Sequence, residues 1–160
     1  MKKISILILL SAILFASCSV SKVARQYKSN INGTWILESA IAEDIQGTIK
    51  ANIFNEASLN CFIGSMWTFN KGNSLGSYTI NKNGGECVAI QRDIRWSIYE
   101  AKDEPILFQF KRLDSKLKEM DEGAGFRFTI VESTPTTMSL RNIVTFEGKS
   151  ASFLYKFSKK

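Results

Sequence analysis

The residues that could carry chemistry in this chain are three cysteines and 15 carboxylates, because the sequence contains no histidine. Without histidine the usual general base near neutral pH is missing, and Ser-His and Cys-His nucleophile systems are impossible. A zinc site would need cysteine and carboxylate ligands alone. Glu38, Asp93 and Glu100 lie in strand-like segments, but their spacing does not pair them into an acid/base site. We therefore expect no enzyme, no catalytic residue, no cofactor and no metal site.

The first cysteine, Cys18, follows a segment with the layout of a secretory signal. A short basic start precedes a nearly unbroken apolar run that ends at Phe15, and small residues follow. The stretch Phe15-Ala16-Ser17-Cys18 resembles the lipobox of bacterial lipoproteins, whose cysteine becomes the lipidated first residue. This resemblance implies a signal peptide over residues 1–17, acyl chains such as palmitate on Cys18, and a membrane anchor. The alternative is an ordinary signal peptide in which Cys18 is incidental.

The same resemblance implies a location in the cell. Ser19 stands where an aspartate would retain a lipoprotein at the inner membrane, and no acidic run follows Cys18 as it does in some surface-exported lipoproteins. We expect an outer-membrane lipoprotein of a gram-negative cell envelope, facing the periplasm. Residues 18–31 show no strand pattern and few bulky side chains, so they are predicted to form a lipidated tether.

The other two cysteines, Cys61 and Cys87, lie in the part of the chain that is predicted to fold. Once Cys18 is lipidated they form an even number in an oxidising compartment, so one intramolecular disulfide is possible. Two reduced cysteines, at least one of them buried, are the alternative.

The segments of the chain after residue 31 follow the two-residue period of β-strands. The first strand begins at Gly33 and Trp35, a predicted barrel-closing motif in which the large aromatic plugs one end. Further strands are predicted at residues 61–70, 77–80, 86–100, 106–113, 126–130, 138–146 and 151–157. Their short connections predict an all-β domain over residues 32–160, an up-and-down antiparallel barrel of about eight strands. A four-residue spacing of Ile45, Ile49, Ile53 and Ala57 predicts a short helix or lid between the first and second strands.

At these positions the chain resembles the lipocalin family, specifically the short bacterial lipocalin-like lipoproteins. Gly33-Thr34-Trp35, the segment from Cys61 to Phe69 and the repeated hairpins carry the resemblance, which covers residues 31–160. It implies that a small apolar molecule binds inside the barrel. The Thr-Asp-Tyr motif of many animal lipocalins is missing. Those proteins also place an arginine of the last strand against the tryptophan. Here only Lys156 is nearby in the last strand, and Arg141 lies one strand earlier.

The candidate ligand-binding residues lie on the apolar strand faces; they are Trp67, Arg92, Trp96, Phe108 and Phe128. Arg92 could balance the charge of an acidic ligand, or it could lie at the barrel rim with its charge in water. Core packing alone is the alternative for the aromatic residues.

Two functions are consistent with this pattern. We expect a small hydrophobic or amphipathic ligand in an open cavity of the barrel. The alternative is a non-enzymatic periplasmic protein-interaction or inhibitor module with a filled barrel. A net charge of +6 without a basic stripe or a known module argues against nucleic acid as a partner.

Overall fold

The computed structural model describes residues 20–43, 52–146 and 149–160 of the chain. Its strands are β1 (Gly33–Ala42), β2 (Asn52–Ile53), β3 (Ala57–Ser58), β4 (Met66–Phe69), β5 (Leu75–Ile80), β6 (Ile90–Tyr99), β7 (Leu107–Leu113), β8 (Phe126–Ser133), β9 (Thr137–Phe146) and β10 (Lys149–Lys159). Its helices are α1 (Lys22–Ile31) and α2 (Leu59–Phe62), and Asp121–Gly123 form a 3-10 turn.

Eight of the strands form a closed barrel in the order β1, β10, β9, β8, β7, β6, β5, β4, and β2 and β3 form a separate hairpin. The barrel pairings are antiparallel, and β1 completes the circle by pairing with both β10 and β4. The predicted up-and-down barrel is therefore confirmed, as is a short helix after the first strand, here α2.

The alternation that predicted the strands is also the alternation that fills the barrel. In β6, Ile94 and Trp96 are buried, whereas Gln91 and Arg95 on the other face are exposed. The other barrel strands contribute buried large side chains, namely Trp35, Leu37, Trp67, Phe69, Tyr78, Ile80, Phe108, Phe110, Phe128, Met138, Leu140, Phe153, Tyr155 and Phe157. Each buried side chain of this size contributes about 1.5–3 kcal/mol, so the aromatic interior is the main source of stability.

Residues 22–31 form the helix α1, whereas the sequence predicted a tether there. Ser21 caps the helix, because its Oγ accepts a hydrogen bond from the Ala24 amide at 3.0 Å. Ala24 and Ile31 are buried, and α1 packs against β6 and β8. Two buried residues on one face, seven positions apart, are enough to attach a short amphipathic helix to the barrel. We call the end that α1 covers, where β1 begins, the α1 end.

The predicted signal peptide and Cys18 lie outside the described residues. Within the described ranges, no helix has both the length and the apolar character needed to cross a membrane.

The opposite end of the barrel, where β1 ends, carries the β2–β3 hairpin and α2, and we call it the hairpin end. Ile53 pairs with Ala57 across the hairpin, so these two residues do not share a helical face as their spacing predicted. A four-residue separation also suits a hairpin with a three-residue loop, which explains the error. Ile45 and Ile49, the other residues of that pattern, lie outside the described residues.

The predicted disulfide is confirmed. Cys61 of α2 is bonded to Cys87 of the β5–β6 connection, with their Cα atoms 5.4 Å apart. The bond ties α2, which follows the hairpin directly, to the barrel wall. A cross-link over 26 residues of sequence stabilises the fold by about 3 kcal/mol in the loop-closure model.

Candidate functional site

Gly33 and Trp35 lie at the α1 end. Trp35 is fully buried, and its Nε1 donates a hydrogen bond to the Ile31 carbonyl at 2.8 Å. Lys159 Nζ lies 5.0 Å from the centroid of the Trp35 ring, within the range of a cation–π interaction. The cation against the tryptophan is therefore Lys159, and the sequence-based choice of Lys156 is wrong because β10 extends to Lys159. This end of the barrel is covered by α1, so it offers no entrance through Trp35.

At the hairpin end, the side chain of Phe54 enters the barrel. Phe54 lies in the turn between β2 and β3, which the Glu56 amide closes by donating to the Ile53 carbonyl at 3.1 Å. The Phe54 ring is surrounded by other aromatic rings. With centroid separations of 5.2 to 6.0 Å, these are Phe62, Trp67, Phe110, Phe126, Phe128 and Tyr155. Phe54 is therefore a plug that the hairpin supplies to the barrel.

Among the residues that the structure describes, the plug leaves little free space beside it in the interior. The cavity beside Phe54 has a volume of about 10 Å³, which is the size of one water molecule rather than of an organic ligand. Its lining includes Trp67, Phe108 and Phe128 from the predicted ligand-binding set. Trp96 is also buried in the interior, with its ring centroid 6.1 Å from that of Phe108. The expected open cavity is thus wrong for the barrel interior that the described residues form, because Phe54 fills it.

The backbone that presents the plug is strained. Phe54 and Asn55 have φ values of 54° and 51°. Asn tolerates this left-handed region, but a bulky residue such as Phe occupies it at a cost of about 1–2 kcal/mol. Strain of this kind persists only where contacts hold the residue in place. Here the aromatic contacts of Phe54 and the ionic contacts of Glu56 hold the turn against the barrel.

Glu56 is the charged half of the plug, and three side chains of the barrel wall bind its carboxylate. Arg92 donates from Nε to Oε2 at 3.0 Å and from Nη2 to Oε1 at 2.8 Å. Arg112 Nη1 donates to Oε2 at 3.0 Å, and the Tyr78 hydroxyl donates to the same oxygen at 2.5 Å. The Glu56 side chain is only 7% exposed, so this is a buried ion pair with both carboxylate oxygens bound.

The electrostatics of this cluster keep Glu56 ionised. Burial raises the pKa of Glu56, but hydrogen bonds from Arg92, Tyr78 and Arg112 outweigh it and bring the pKa below its usual value. Burial, followed by the hydrogen bond to Glu56, raises the pKa of Tyr78, which therefore remains a neutral donor. Arg112 also donates to Asp121, and the hydrogen bond between them raises the pKa of Arg112 and lowers that of Asp121.

Comparison with protein families identifies the chain. A family model described as a lipocalin-like domain matches residues 31–140, which is more than half of the 160 residues. The protein belongs to the lipocalin-like domain family. This confirms the resemblance inferred from Gly33-Thr34-Trp35 and the strand pattern.

Solved structures similar to this lipocalin-like protein include bovine odorant-binding protein. A complex of that protein with a selenium-containing odorant is 13% identical, with a TM-score of 0.44 over 89% of this chain and 78% of that chain. A complex with its natural ligand is 12% identical, with a TM-score of 0.43 over 89% and 76% of the two chains. Comparison with the sequences of curated proteins found no match.

The lipocalin-like barrel also has a groove on its outer surface, along β6, β7 and β8, with a volume of about 700 Å³. Its charged lining residues are Arg95, Lys111, Arg127 and Glu119. Glu119 accepts hydrogen bonds from Lys111 Nζ at 2.7 Å and from Arg95 Nη1 at 3.3 Å. The groove is therefore net basic, and it is separate from the interior.

Sequence reasoning placed Arg92 among the site residues but missed Phe54, Glu56, Arg112 and Tyr78. Arg112 carried a usable signal, because it continues the inward alternation of Phe108 and Phe110 along β7. Phe54 and Glu56 carried no such signal, because the four-residue spacing of Ile53 and Ala57 on either side of them indicated a helix rather than a turn.

Proposed function

We propose that this lipocalin-like protein binds a small apolar or amphipathic molecule inside its barrel, in the space that Phe54 now fills. The observation that carries the proposal is the shell of aromatic rings around Phe54. A pocket for a small molecule is typically apolar and aromatic, and here one side chain of the protein itself is the occupant. Binding would be burial of the ligand, with no bond made or broken.

Entry of a ligand requires the β2–β3 hairpin to withdraw from the hairpin end. The backbone strain at Phe54 and Asn55 is released by that movement, which lowers its cost. The apolar part of the ligand then packs against the aromatic rings that Phe54 leaves. The free energy needed to withdraw the hairpin is therefore smaller than the loss of Phe54 burial alone would give. A ligand can replace Phe54 only if this free-energy difference is small enough for its binding to outweigh.

A second observation supports a ligand in the interior. The Tyr155 hydroxyl has no hydrogen-bond partner among the described residues, although Tyr155 is only 1% exposed. Buried polar groups are normally paired, and leaving one unpaired costs about 1–3 kcal/mol. Tyr155 contacts Phe54, with ring centroids 5.7 Å apart, so a ligand in place of Phe54 could pair with this hydroxyl.

The experiment is a fluorescence titration of the purified domain with N-phenylnaphthylamine, a neutral apolar probe that becomes bright when buried. Phe54→Ala is expected to bind the probe about tenfold more tightly than wild type or better, because the ring no longer competes. Ile143→Ala is the matched control, since Ile143 is an apolar residue that is 70% exposed on the outside. Equal binding by wild type and Phe54→Ala, or no binding by either, would contradict the proposal.

The filled interior and the outer groove favour a second candidate, a module that binds a protein partner. The groove is lined by Arg95, Lys111 and Arg127 against one carboxylate, so an acidic partner surface would fit it. A photocrosslinking residue at Ser97 in the groove should then give a specific product in intact cells, whereas one at Ile143 should not. Identical products at the two positions would count against this candidate.

We also propose that Cys18 is lipidated and anchors the protein to the outer membrane on its periplasmic side. The lipobox-like Phe15-Ala16-Ser17-Cys18 and the Cys61–Cys87 disulfide, which suits an oxidising compartment, support this. Labelling of gram-negative cells with an alkyne analogue of palmitate should mark wild type and Cys61→Ser but not Cys18→Ser. Label on Cys18→Ser, or wild-type protein in the soluble fraction, would overturn the proposal.

A further inference from the structure

We propose that the ligand is an amphipathic carboxylic acid whose carboxylate takes the place of Glu56 and whose apolar part takes the place of Phe54. This inference rests on the proposed function, and it adds the chemical class of the ligand and the residues that recognise it. In the free protein, Glu56 and Phe54 then occupy the positions that the carboxylate and the apolar part of the ligand take in the complex.

The geometry around Glu56 is that of a carboxylate-binding subsite. The guanidinium of Arg92 binds both oxygens, with distances of 3.0 and 2.8 Å. This two-point arrangement matches the planar fork of arginine to a planar carboxylate. Arg112 and Tyr78 add donors to Oε2 at 3.0 and 2.5 Å. These three donors belong to the barrel wall on β5, β6 and β7, so they stay in place when the hairpin leaves.

The charge balance of the subsite selects an acid over a neutral molecule. Among the described residues, Glu56 is the one carboxylate that contacts Arg92, whereas Arg112 has Asp121 as well. A neutral ligand that displaced the hairpin would leave Arg92, whose side chain is only 21% exposed, without a bound carboxylate, and Asp121 would act on it only through a longer-range electrostatic interaction. Leaving a partly buried charge unpaired is unfavourable, and the carboxylate of an acidic ligand restores the pair.

The plug has the same two chemical parts as the proposed ligand. Phe54 supplies an apolar group in the aromatic shell, and Glu56, two residues on, supplies a carboxylate to Arg92 and Arg112. Arg112 also binds the turn between these parts, since its Nη1 donates to the Asn55 carbonyl at 3.0 Å. An acid therefore competes with both parts of the plug at once, whereas a neutral molecule competes with only one.

The test is displacement of N-phenylnaphthylamine by dodecanoic acid and by its methyl ester, at concentrations at which both are dissolved as monomers. The acid should compete about tenfold better than the ester with wild type. Glu56→Gln should bind the acid about tenfold more tightly than wild type, because the internal competitor no longer carries a charge. Arg92→Met should reduce the preference for the acid, with Arg112 and Tyr78 remaining as donors. Glu119→Gln is the matched control, since Glu119 bonds to Lys111 and Arg95 outside the barrel.

The outcomes separate this inference from the proposed function. Equal competition by acid and ester, in a protein that binds the neutral probe, would overturn the inference and leave apolar binding intact. Absence of probe binding by wild type and by Phe54→Ala would remove the proposed function itself. If dodecyl phosphate competes better than dodecanoic acid, the assignment to a carboxylate is wrong. If Glu56→Gln is poorly folded, its melting temperature should rise more with the acid than with the ester, and equal rises would contradict the inference.

Discussion

Arg92 Nε and Nη2 lie 3.0 and 2.8 Å from the two carboxylate oxygens of Glu56. One residue belongs to the barrel wall and the other to the tip of a hairpin, so this ion pair joins the wall to the plug. Because Glu56 is two residues from Phe54, the pair also fixes the ring that fills the interior. The barrel is therefore closed by contacts that a ligand with an acid group and an apolar body could replace.

The strain at Phe54 predicts an unusual order of stabilities. Phe54→Ala should lower the free energy of unfolding by about 3 kcal/mol, as expected for a buried Phe. Phe54→Gly should lower it by about 1 kcal/mol less than Phe54→Ala, because glycine adopts a φ of 54° without strain. Urea unfolding of the two variants measures the difference. If Phe54→Gly is the less stable variant, the strain is not released and the interpretation of the turn is wrong.

The charged cluster predicts a loss of stability at low pH. Burial opposes ionisation of Glu56, but hydrogen bonds from its arginine and tyrosine partners bring its pKa below its usual value in the folded state. A carboxyl whose pKa is lower in the folded state stabilises the fold above its unfolded pKa, and this contribution disappears as the pH falls through the folded value. Asp121 adds to the effect in the same direction, through its hydrogen bond from Arg112.

Urea unfolding from about pH 7 to about pH 3 tests this, with Glu56→Gln as the comparison. Wild type should lose more stability than Glu56→Gln over the acidic part of the range. The same protonation frees the hairpin, so probe binding by wild type should strengthen as the pH falls. Parallel pH profiles for the two proteins would show that Glu56 does not hold the plug.

Gly33 at the α1 end and Gly84 in the β5–β6 connection at the hairpin end offer a matched pair of glycine substitutions. Gly33 and Gly84 have φ values of 121° and 126°, and alanine at either position is strained by about 1–3 kcal/mol. A Cβ at Gly33 would also lie 2.8 Å from Lys159 Cε, whereas one at Gly84 would meet nothing within 4 Å. Gly33→Ala should therefore lose about 0.5–1 kcal/mol more than Gly84→Ala, because Lys159 must leave the Trp35 ring. Equal melting temperatures would show that this cation–π contact contributes nothing measurable.

The disulfide predicts a link between redox state and access to the interior. Reduction of Cys61–Cys87 should lower the free energy of unfolding by about 3 kcal/mol. It should also speed the association of N-phenylnaphthylamine, because α2 continues directly from the hairpin and the disulfide holds α2 to the wall. Stopped-flow mixing with and without dithiothreitol gives the rate. An unchanged association rate in protein that is still folded would separate the disulfide from the movement of the plug.

The barrel could be predicted from sequence because its signal is local. The alternation of buried and exposed residues can be recognised within each strand by itself, as at Ile94 and Trp96 in β6. Short connections between consecutive strands then allow few topologies. The disulfide could be predicted because two cysteines remain once Cys18 is set aside for lipidation, and because an oxidising compartment was expected. Arg92 was recognised because a charged residue on an apolar face stands out within a single strand.

The plug could not be predicted, because its contacts are distant in sequence. Glu56 binds residues that are 22, 36 and 56 positions away in the chain, namely Tyr78, Arg92 and Arg112. The left-handed conformation of Phe54 runs against its residue type, so propensity misleads at this position. Lys159 was missed for a related reason, since polar residues at the end of β10 have the composition of a tail although they continue the pairing with β1.

The most direct measurement is fluorine NMR of the domain with 4-fluorophenylalanine incorporated at position 54 alone. In the free protein the resonance should carry the large ring-current shift expected inside a shell of aromatic rings. Addition of dodecanoic acid should move it to the position of a solvent-exposed fluorophenylalanine, because the acid displaces Phe54 from the barrel. A resonance that keeps its buried position at the highest soluble concentration of the acid would show that the acid does not displace Phe54 from the barrel.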